Sequence, residues 1–367
     1  MSYRQCNRCV MDTTDPDIVF DENGFCNHCN DFHERLAHKV YRGEDSDRDL
    51  ATLVEKIKKS GKGNKYDCLI GISGGIDSCY AAYVAKKQGL RPLALHMDNG
   101  WNSEEASRNI KNVVTKLGID YQSYVLNYEE FKDLQLSFLR ASVPELETPT
   151  DIAIPATLHK VAAKLGIKYI ISGGNYVTEG ILPKKWHYDA KDVKYLKNIH
   201  NRFGSRKLKY FPTFGYKKEF WYKFFRGIRI VYILNYVPYA KKDAMGLLQN
   251  ELGWKYYGGK HYESRYTSFI QSYILPVKFN IDYRLATYST QICAGEITRE
   301  EALKGLKSKP YDIGKVANEK SYLCKKLGIS LDEFETIMKN SPRSFKDYPN
   351  DQKFLEFIYN TYRRLMN

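Results

Sequence analysis

The chain has 367 residues, of which 43% are hydrophobic, and it carries a formal net charge of +14. A chain of this length can bury a substantial core and has room for two or three structural units. The first residues contain no apolar signal segment, and no run reaches the roughly 20 uninterrupted apolar residues that cross a bilayer. We therefore expect a cytoplasmic protein with no membrane span.

Residues 1–32 contain two C-x-x-C pairs, formed by Cys6, Cys9, Cys26 and Cys29, with 16 residues between the pairs. This is the spacing of a tetrahedral structural zinc site. A module of about 30 residues buries too little apolar surface to fold unaided, so a bound metal would supply folding energy. We predict a zinc-binding module, with an iron–sulfur cluster or unligated thiols as the alternatives.

A helical linker is predicted at 33–61, and apolar runs of strand length then alternate with helical patterns over 62–182. One helical pattern is bounded by Ser103, a typical N-cap, and by Gly118, a typical helix stop. Strands that alternate with helices predict an α/β fold with a doubly wound parallel sheet. The predicted strands are at 66–72, 92–98, 120–126 and 168–174.

The first predicted strand runs into S-G-G-I-D-S at 73–78, and a helix follows. Ligands of open α/β sheets bind at the carboxyl ends of the strands, and a Gly-rich turn before a helix N-terminus can hold an anion. Asp77 would repel a phosphate unless a divalent cation lay between them, which predicts Mg²⁺. The motif is not a Walker A loop, because no Gly-Lys-Ser/Thr follows. The candidate ATP-binding residues in it are Ser73, Gly74, Gly75, Asp77 and Ser78.

This motif resembles the PP-loop, SGGxDS, of the N-type ATP pyrophosphatases. The resemblance implies a loop that grips the departing pyrophosphate while AMP is transferred to a substrate oxygen. It also implies that the turns after the second and fourth strands face the nucleotide, which adds Asp98, Gly173 and Gly174 as ATP-binding candidates. Glu179 is the candidate second magnesium ligand, although a lone carboxylate is also an ordinary residue at a helix N-terminus.

Residues 183–281 form a basic aromatic segment, for which we predict an insertion and a role in substrate binding. Between Lys184 and Arg229, 14 Lys and Arg residues stand against three acids. Such a strip attracts RNA, an anionic membrane surface, an acidic protein or a phosphorylated substrate. The alternative is a solvated basic face over a small aromatic core.

The same segment ends with G-G-K-H-Y-E-S-R at 258–265, a cluster of charged residues after a Gly-Gly turn. Such a loop suits phosphate and carboxylate recognition, since an Arg can bind either group through two parallel hydrogen bonds; the alternative is a polar surface loop. A helical region is predicted for 282–367, with capping boxes at 298–301 and 330–333. The candidate substrate-binding residues are Lys260, His261, Glu263, Ser264 and Arg265.

Taken in this order, the motifs resemble the N-acetyl sugar amidotransferase family (WbpG/PseA type) of bacterial surface-polysaccharide biosynthesis. The blocks that carry the resemblance are RQCNRCVMDTTDPDIVFDENGFCNHC, GISGGIDS, TPTDIAIPATLHKVA, YIISGGN, GGKHYESRYTSFIQ and GEITREEAL. The resemblance implies that the acetamido oxygen of a nucleotide-activated sugar attacks the α-phosphate of ATP and that ammonia then displaces AMP, which leaves an acetamidino group. Asp77 and Lys260 are the candidate catalytic residues of this reaction.

The resemblance also implies that ammonia comes from a separate glutaminase similar to the HisH subunit of imidazole glycerol phosphate synthase, with a HisF-like companion. The main alternative is a PP-loop enzyme of tRNA 2-thiolation, which would suit the basic charge. Such enzymes use further cysteines after the loop, and only Cys293 and Cys324 remain there, so we expect no nucleic-acid substrate. A zinc-dependent scaffold with a degenerate ATP site is a third reading, which the intact S-G-G-x-D-S motif does not support.

Overall fold

The computed structural model describes residues 2–36, 38–258, 262–357 and 361. A sheet of five parallel strands lies at its centre, in the order β3-β2-β1-β4-β5. The strands are β1 (Cys68–Gly71), β2 (Pro92–Asp98), β3 (Asp120–Val125), β4 (Tyr169–Ser172) and β5 (Arg229–Tyr232).

Helices surround this sheet and form most of the rest of the chain. In chain order they are α1 (Asn27–Asp31), α2 (Glu44–Ser60), α3 (Ile76–Lys87), α4 (Glu104–Leu117), α5 (Tyr128–Ala141), α6 (Thr148–Lys164), α7 (Tyr176–Glu179), α8 (Val193–Phe203), α9 (Tyr216–Phe220), α10 (Lys241–Leu252), α11 (Arg265–Phe269), α12 (Leu275–Phe279), α13 (Tyr283–Cys293), α14 (Arg299–Leu306), α15 (Ile313–Leu327) and α16 (Leu331–Lys339). Short π-helical turns lie at Phe32–Leu36, Trp221–Phe225 and Ile270–Ile274, and 3-10 turns at Lys184–Trp186, Ile233–Tyr236 and Phe345–Asp347. Within the described residues, no helix combines the length and apolarity that a bilayer crossing requires.

Both faces of the sheet are covered, which explains why its inner strands are continuous apolar runs. Cys68 and Ile70 of β1 pack with α2, α3, α4 and α10 on one face. Leu69 of the same strand packs with Val161 and Ala162 of α6 on the other. The predicted doubly wound α/β sheet is therefore confirmed.

The predicted helix boundaries are also confirmed where a local signal marked them. The Ser103 hydroxyl caps α4 by accepting a hydrogen bond from the Ala106 N–H at 3.1 Å, and Gly118 ends that helix with φ of 59°. A reciprocal capping box opens α14 between Thr298 and Glu301.

The fifth strand was not predicted. β5 is only four residues long and pairs with β4 at the edge of the sheet. In the sequence it lies inside the basic aromatic segment, and Val231 alone among its residues is buried, so it lacks the apolar run of an inner strand. The sheet thus extends beyond residue 182 into the predicted insertion.

The N-terminal module and the C-terminal helices share one hydrophobic core. Val10 and Met11 are fully buried in the same cluster as Leu285 of α13 and Phe334 of α16. The Val10 N–H donates to the Ser289 hydroxyl at 3.2 Å. The module is therefore packed into the body of the protein rather than tethered to it.

Candidate functional site

The S-G-G-I-D-S loop lies where the strand order of the sheet reverses. β1 pairs with β2 on one side and with β4 on the other, so the loop after β1 opens into the crevice where ligands of such folds bind. α3 begins at Ile76 directly after Gly75, which has no side chain to cap the first N–H groups. A helix start of this kind suits an anion, because its N–H groups and its dipole both favour negative charge.

The two serines of the loop hold its shape. The Gly75 N–H donates to Ser73 Oγ at 3.2 Å, and Ser78 Oγ donates to the Gly75 carbonyl at 3.0 Å. The two hydroxyl oxygens lie 3.1 Å apart. The loop is therefore pre-shaped before any ligand binds, and the hydroxyls can turn towards a phosphate.

The glycines allow close packing around the loop. Gly74 has φ of +83°, and a Cβ there would stand 2.4 Å from the Ala106 carbonyl oxygen. A Cβ at Gly173, in the turn after β4, would stand 2.7 Å from the Ser78 backbone nitrogen. The two turns thus meet backbone to backbone, which only glycine permits.

Asp77 and Glu179 are the predicted magnesium ligands, and both line the cavity in front of the loop. The Tyr239 hydroxyl donates to Asp77 Oδ1, and burial together with the charge of Asp77 raises the pKa of Tyr239. Glu179 Oε2 lies 3.4 Å from where a Cβ on Gly174 would stand. Carboxylates beside an anion-binding loop are the donors that Mg²⁺ uses to bridge protein and phosphate, so these residues fit that ion.

The cavity has a volume of about 1390 Å³. This exceeds the roughly 300–1,000 Å³ of a pocket for one small ligand, so there is room for a nucleotide and a second substrate. The predicted site residues on its wall are Ser73, Gly75, Asp77, Ser78, Gly173, Gly174, Glu179, Glu263 and Ser264.

Part of the cavity wall outside the loop is acidic, a feature that the sequence analysis missed. Glu145, Glu147 and Asp151 lie there, at the start of α6. Glu147 Oε2 accepts a hydrogen bond from Thr267 Oγ1 at 2.8 Å, whereas its buried Oε1 has no hydrogen-bond partner among the described residues. Burial and the nearby charge of Asp151 raise the pKa of Glu147 to about 8. Burial raises the pKa of Glu145 to about 7, although the Tyr195 hydroxyl donates to it.

Three of the described predicted site residues, Gly74, Asp98 and Arg265, do not line the cavity; Gly74 packs on the Ala106 backbone. Asp98 Oδ1 accepts from the Gly100 N–H at 2.8 Å and shapes the turn after β2. Arg265 forms an ion pair with Glu319 at 2.9 Å and stacks over the Tyr322 ring at 3.4 Å. Its guanidinium is thus committed to α15, and the predicted substrate contact of Arg265 finds no support in this geometry.

The other residues of the 258–265 motif differ in their positions relative to the loop. Glu263 Oε1 lies 3.3 Å from where a Cβ on Gly75 would stand, which places this carboxylate against the S-G-G-I-D-S loop. Ser264 caps α11 by accepting from the Thr267 N–H at 3.2 Å. Lys260 and His261 lie outside the described residues, so their predicted roles stay predictions.

The four N-terminal cysteines converge, as their spacing predicted. Their sulfur atoms all lie within 4.8 Å of one another, with Cys6 and Cys29 3.8 Å apart and Cys9 and Cys26 3.6 Å apart. A tetrahedron of sulfurs at the usual Zn–S distance has edges of about 3.8 Å. The Cys26 N–H donates to Cys6 Sγ at 3.2 Å, as expected for thiolates held by the backbone. The cluster is compatible with zinc.

A fifth cysteine lies beside this cluster. Cys293 Sγ, at the end of α13, is 3.6 Å from Cys29 Sγ, although the two residues are far apart in the sequence. Arg299 fixes the same interface by donating to the Cys9 and Cys6 carbonyls, both at 3.0 Å. The sequence offered no signal for this proximity, because only the packing of α13 on the module creates it.

Comparison with known proteins agrees with this arrangement. The thiamine biosynthesis protein (ThiI) family matches residues 63–176, which contain the S-G-G-I-D-S loop. The C-terminal domain of the WbpG-like LPS biosynthesis proteins matches residues 263–366.

Among curated proteins, the chain is 29% identical over 126 residues to a probable mitochondrial tRNA-specific 2-thiouridylase of Caenorhabditis elegans, covering 30% of this chain and 33% of that one. It is 30% identical over 134 residues to an uncharacterized protein of Methanocaldococcus jannaschii, covering 35% and 45%. It is 31% identical over 153 residues to the tRNA-specific 2-thiouridylase MnmA of Clostridioides difficile, covering 35% and 41%. The chain therefore spans less than half the length of these relatives.

The fold and the loop of residues 63–176 are those of a PP-loop domain of the ATP pyrophosphatase superfamily. More particularly, the chain joins this PP-loop domain to a WbpG-like C-terminal domain.

Proposed function

We propose that the chain is an ATP-dependent amidotransferase that converts the acetamido group of a nucleotide-activated sugar into an acetamidino group, releasing AMP and pyrophosphate. The observation that carries the proposal is the acidic, cysteine-free lining of the described part of the PP-loop cavity. The WbpG-like domain at 263–366 supports a role in the synthesis of O-antigen, LPS or a related surface glycan.

The first half of the reaction belongs to the S-G-G-I-D-S loop. An amide carbonyl is a poor electrophile with a poor leaving group, and transfer of AMP to its oxygen corrects both defects. The loop N–H groups and the Ser73 and Ser78 hydroxyls stabilise the charge that develops on the departing pyrophosphate. Asp77 and Glu179 would hold Mg²⁺, which when bound neutralises part of that charge.

The second half belongs to the acidic wall. Ammonia must add to the face of the adenylylated carbon and lose a proton before AMP is expelled. Glu147 offers one oxygen without a hydrogen-bond partner in the described structure, and the raised pKa of this carboxyl suits a group that exchanges a proton near neutral pH. Glu147 is thus the proposed base for the attacking nitrogen.

The ammonia source is proposed to be a HisH-like glutaminase with a HisF-like companion. Glutamine hydrolysis of that kind uses a reactive thiol, and the described cavity lining contains none. Cys68 of β1 and Cys79 of α3 are fully buried in the core, and burial raises the pKa of the Cys79 thiol to about 12. The zinc bound by the N-terminal cysteines has a structural role in this proposal.

A tRNA 2-thiolation enzyme is the second candidate, because the curated relatives include tRNA thiouridylases. Sulfur transfer needs a persulfide-bearing or cluster-binding cysteine near the adenylylated base. Cys324 is buried and Cys293 faces the four-cysteine cluster, so neither meets this need.

The test is to incubate the protein with Mg-ATP, ammonium salt and a panel of nucleotide-linked diacetamido sugars. Pyrophosphate release and a product in which oxygen is replaced by NH, identified by mass spectrometry, are expected. Asp77→Asn is the matched inactive control, since it keeps the side-chain shape. Formation of ADP and orthophosphate, or of thiolated tRNA from tRNA and a sulfur donor, would refute the proposal.

A further inference from the structure

One helix turns four of its aromatic side chains towards solvent. α9 continues through the π-helical turn Trp221–Phe225, and together they are named the aromatic-basic helix (residues 216–225). The exposed fractions of Phe220, Trp221, Phe224 and Phe225 are 55%, 44%, 61% and 72%. The rings of Phe220 and Phe224 pack against each other with centroids 4.6 Å apart. A contiguous apolar patch of this kind usually marks an interaction site.

The helix is anchored to the protein by its other face. The Tyr222 ring stacks on Phe214 at 6.1 Å and contacts the His159 ring of α6 at 5.2 Å. Directly after the helix, Arg226 donates to the Ala163 carbonyl at 2.8 Å. Because these contacts hold the inner face, the outward direction of the phenylalanines is fixed rather than a result of fraying.

The surroundings of the patch are basic. From 216 to 229 the sequence has five Lys and Arg residues and one acid. That acid, Glu219, forms an ion pair with Lys191 at 2.8 Å, whereas Lys217 and Lys223 are exposed. The outward face therefore combines positive charge with apolar rings.

We propose that the aromatic-basic helix docks the protein on an anionic phospholipid surface. Lysines beside the helix attract the headgroups, and the protruding rings enter the boundary between headgroups and acyl chains. A membrane fits better than RNA, because bases stack on open aromatic faces and here Phe220 and Phe224 cover each other. It also fits better than an acidic protein, since apolar rings flanked by lysines on an exposed helix are the pattern of helices that lie in a membrane interface.

The aromatic-basic helix lies next to an element that lines the PP-loop cavity. β5 follows the helix directly, and Ile230 and Tyr232 of this strand line the PP-loop cavity. Docking through residues 216–225 would thus bring the cavity close to the lipid surface. The proposal does not depend on the chemistry assigned to the cavity.

Tryptophan fluorescence offers a direct test. Trp221 is exposed, whereas Trp101, Trp186 and Trp254 are at most 2% exposed. Large unilamellar phosphatidylcholine vesicles, with and without phosphatidylglycerol, are titrated into the full chain. We expect a blue shift and co-sedimentation only with phosphatidylglycerol, weakened by added salt because exposed charges are screened. The blue shift is expected to be lost in Trp221→Phe, while co-sedimentation persists.

Matched variants distinguish vesicle binding by the aromatic-basic helix from non-specific adsorption through other exposed apolar residues. Phe224→Ser with Phe225→Ser is expected to weaken vesicle binding on the order of tenfold or more, and Lys217→Gln about fivefold. Phe354→Ser with Phe357→Ser, which alters two phenylalanines that are 54% and 68% exposed elsewhere, is expected to bind as the parent does.

Three results would overturn the proposal. The first is absence of binding to phosphatidylglycerol vesicles, and the second is equal loss in both phenylalanine pairs. The third is a parent protein that does not bind vesicles but binds RNA or a purified acidic protein, with binding that is lost in the Phe224→Ser, Phe225→Ser variant. Circular dichroism of each variant, together with its pyrophosphate release, shows whether the fold and the cavity are intact.

Discussion

Replacement of Glu147 by Gln is predicted to stabilise the protein at alkaline pH and at the same time to impair it as an enzyme. Burial and the charge of Asp151 raise the pKa of Glu147 from the ordinary 4.5 to about 8. The folded protein therefore retains a proton that the unfolded chain loses as the pH rises above 4.5. The resulting penalty on folding grows until about pH 8 and is constant above it.

The size of the effect is set by the two pKa values. Each pH unit between the two pKa values adds about 1.4 kcal/mol to the free-energy penalty on folding, so the penalty is on the order of 5 kcal/mol above pH 8. Glutamine is neutral at every pH, and its amide oxygen can still accept from Thr267. Glu147→Gln should thus match the parent near pH 4 and exceed it at pH 9. The measurement is the free energy of unfolding in urea at both pH values, with Glu55→Gln on the exposed face of α2 as control.

The same variant tests the proposed base. Loss of general base catalysis typically costs 10²–10⁴ in rate, so kcat should fall about a hundredfold or more at saturating sugar. With the rate expressed per free ammonia, the parent should gain activity as the pH rises through about 8, and Glu147→Gln should show no such rise. A variant that is stabilised but fully active would refute the catalytic role, and one that is not stabilised at pH 9 would refute the burial argument.

Three further predictions concern the PP-loop and the cysteine cluster. Gly74→Ala should destabilise the protein by roughly 1–3 kcal/mol in thermal denaturation, because the residue has φ of +83° and its Cβ would clash with the Ala106 carbonyl. Asp77→Asn should abolish pyrophosphate release yet keep the zinc content found by atomic absorption, since the loop and the cysteine cluster are separate. Chelation of zinc should raise hydrogen exchange in α13, because Cys293 and Arg299 pack on the cluster; unchanged exchange there would contradict this coupling.

Local patterns determined which parts of the fold could be predicted. The three inner strands β1, β2 and β4 were found because buried apolar runs mark them, and the edge strand β3 was found from its place between two helical patterns. The cysteine module was found because metal geometry imposes a fixed spacing. β5 was missed because an edge strand with only Val231 buried carries too little apolar signal.

The parts of the site that lie in a sequence motif were predicted. The parts that tertiary packing alone brings to the cavity were missed. The loop at 73–78 follows a strand and precedes a helix, which is sufficient to place it. Glu147 has no motif of its own, and only the packing of α6 and α11 turns it towards the cavity. Three acids within eight residues, P-E-L-E-T-P-T-D at 144–151, were the available signal. For Arg265 the motif suggested a substrate contact, and packing pairs it with Glu319; its predicted role stays a prediction.

The likeness to tRNA thiouridylases bears on the nucleotide half of the reaction, since the matched region is about a third of the chain. The step after adenylylation depends on the rest of the cavity wall, and in the described structure that wall has carboxylates and no thiol. A chain with alanine at Cys68, Cys79, Cys293 and Cys324 is therefore expected to keep its amidation activity per folded molecule, because none of these thiols reaches the cavity lining. Circular dichroism and zinc content supply the control for folding. Loss of turnover in a folded, zinc-loaded variant would mean that sulfur takes part in the chemistry, and the carboxylate wall would then lose its assigned role.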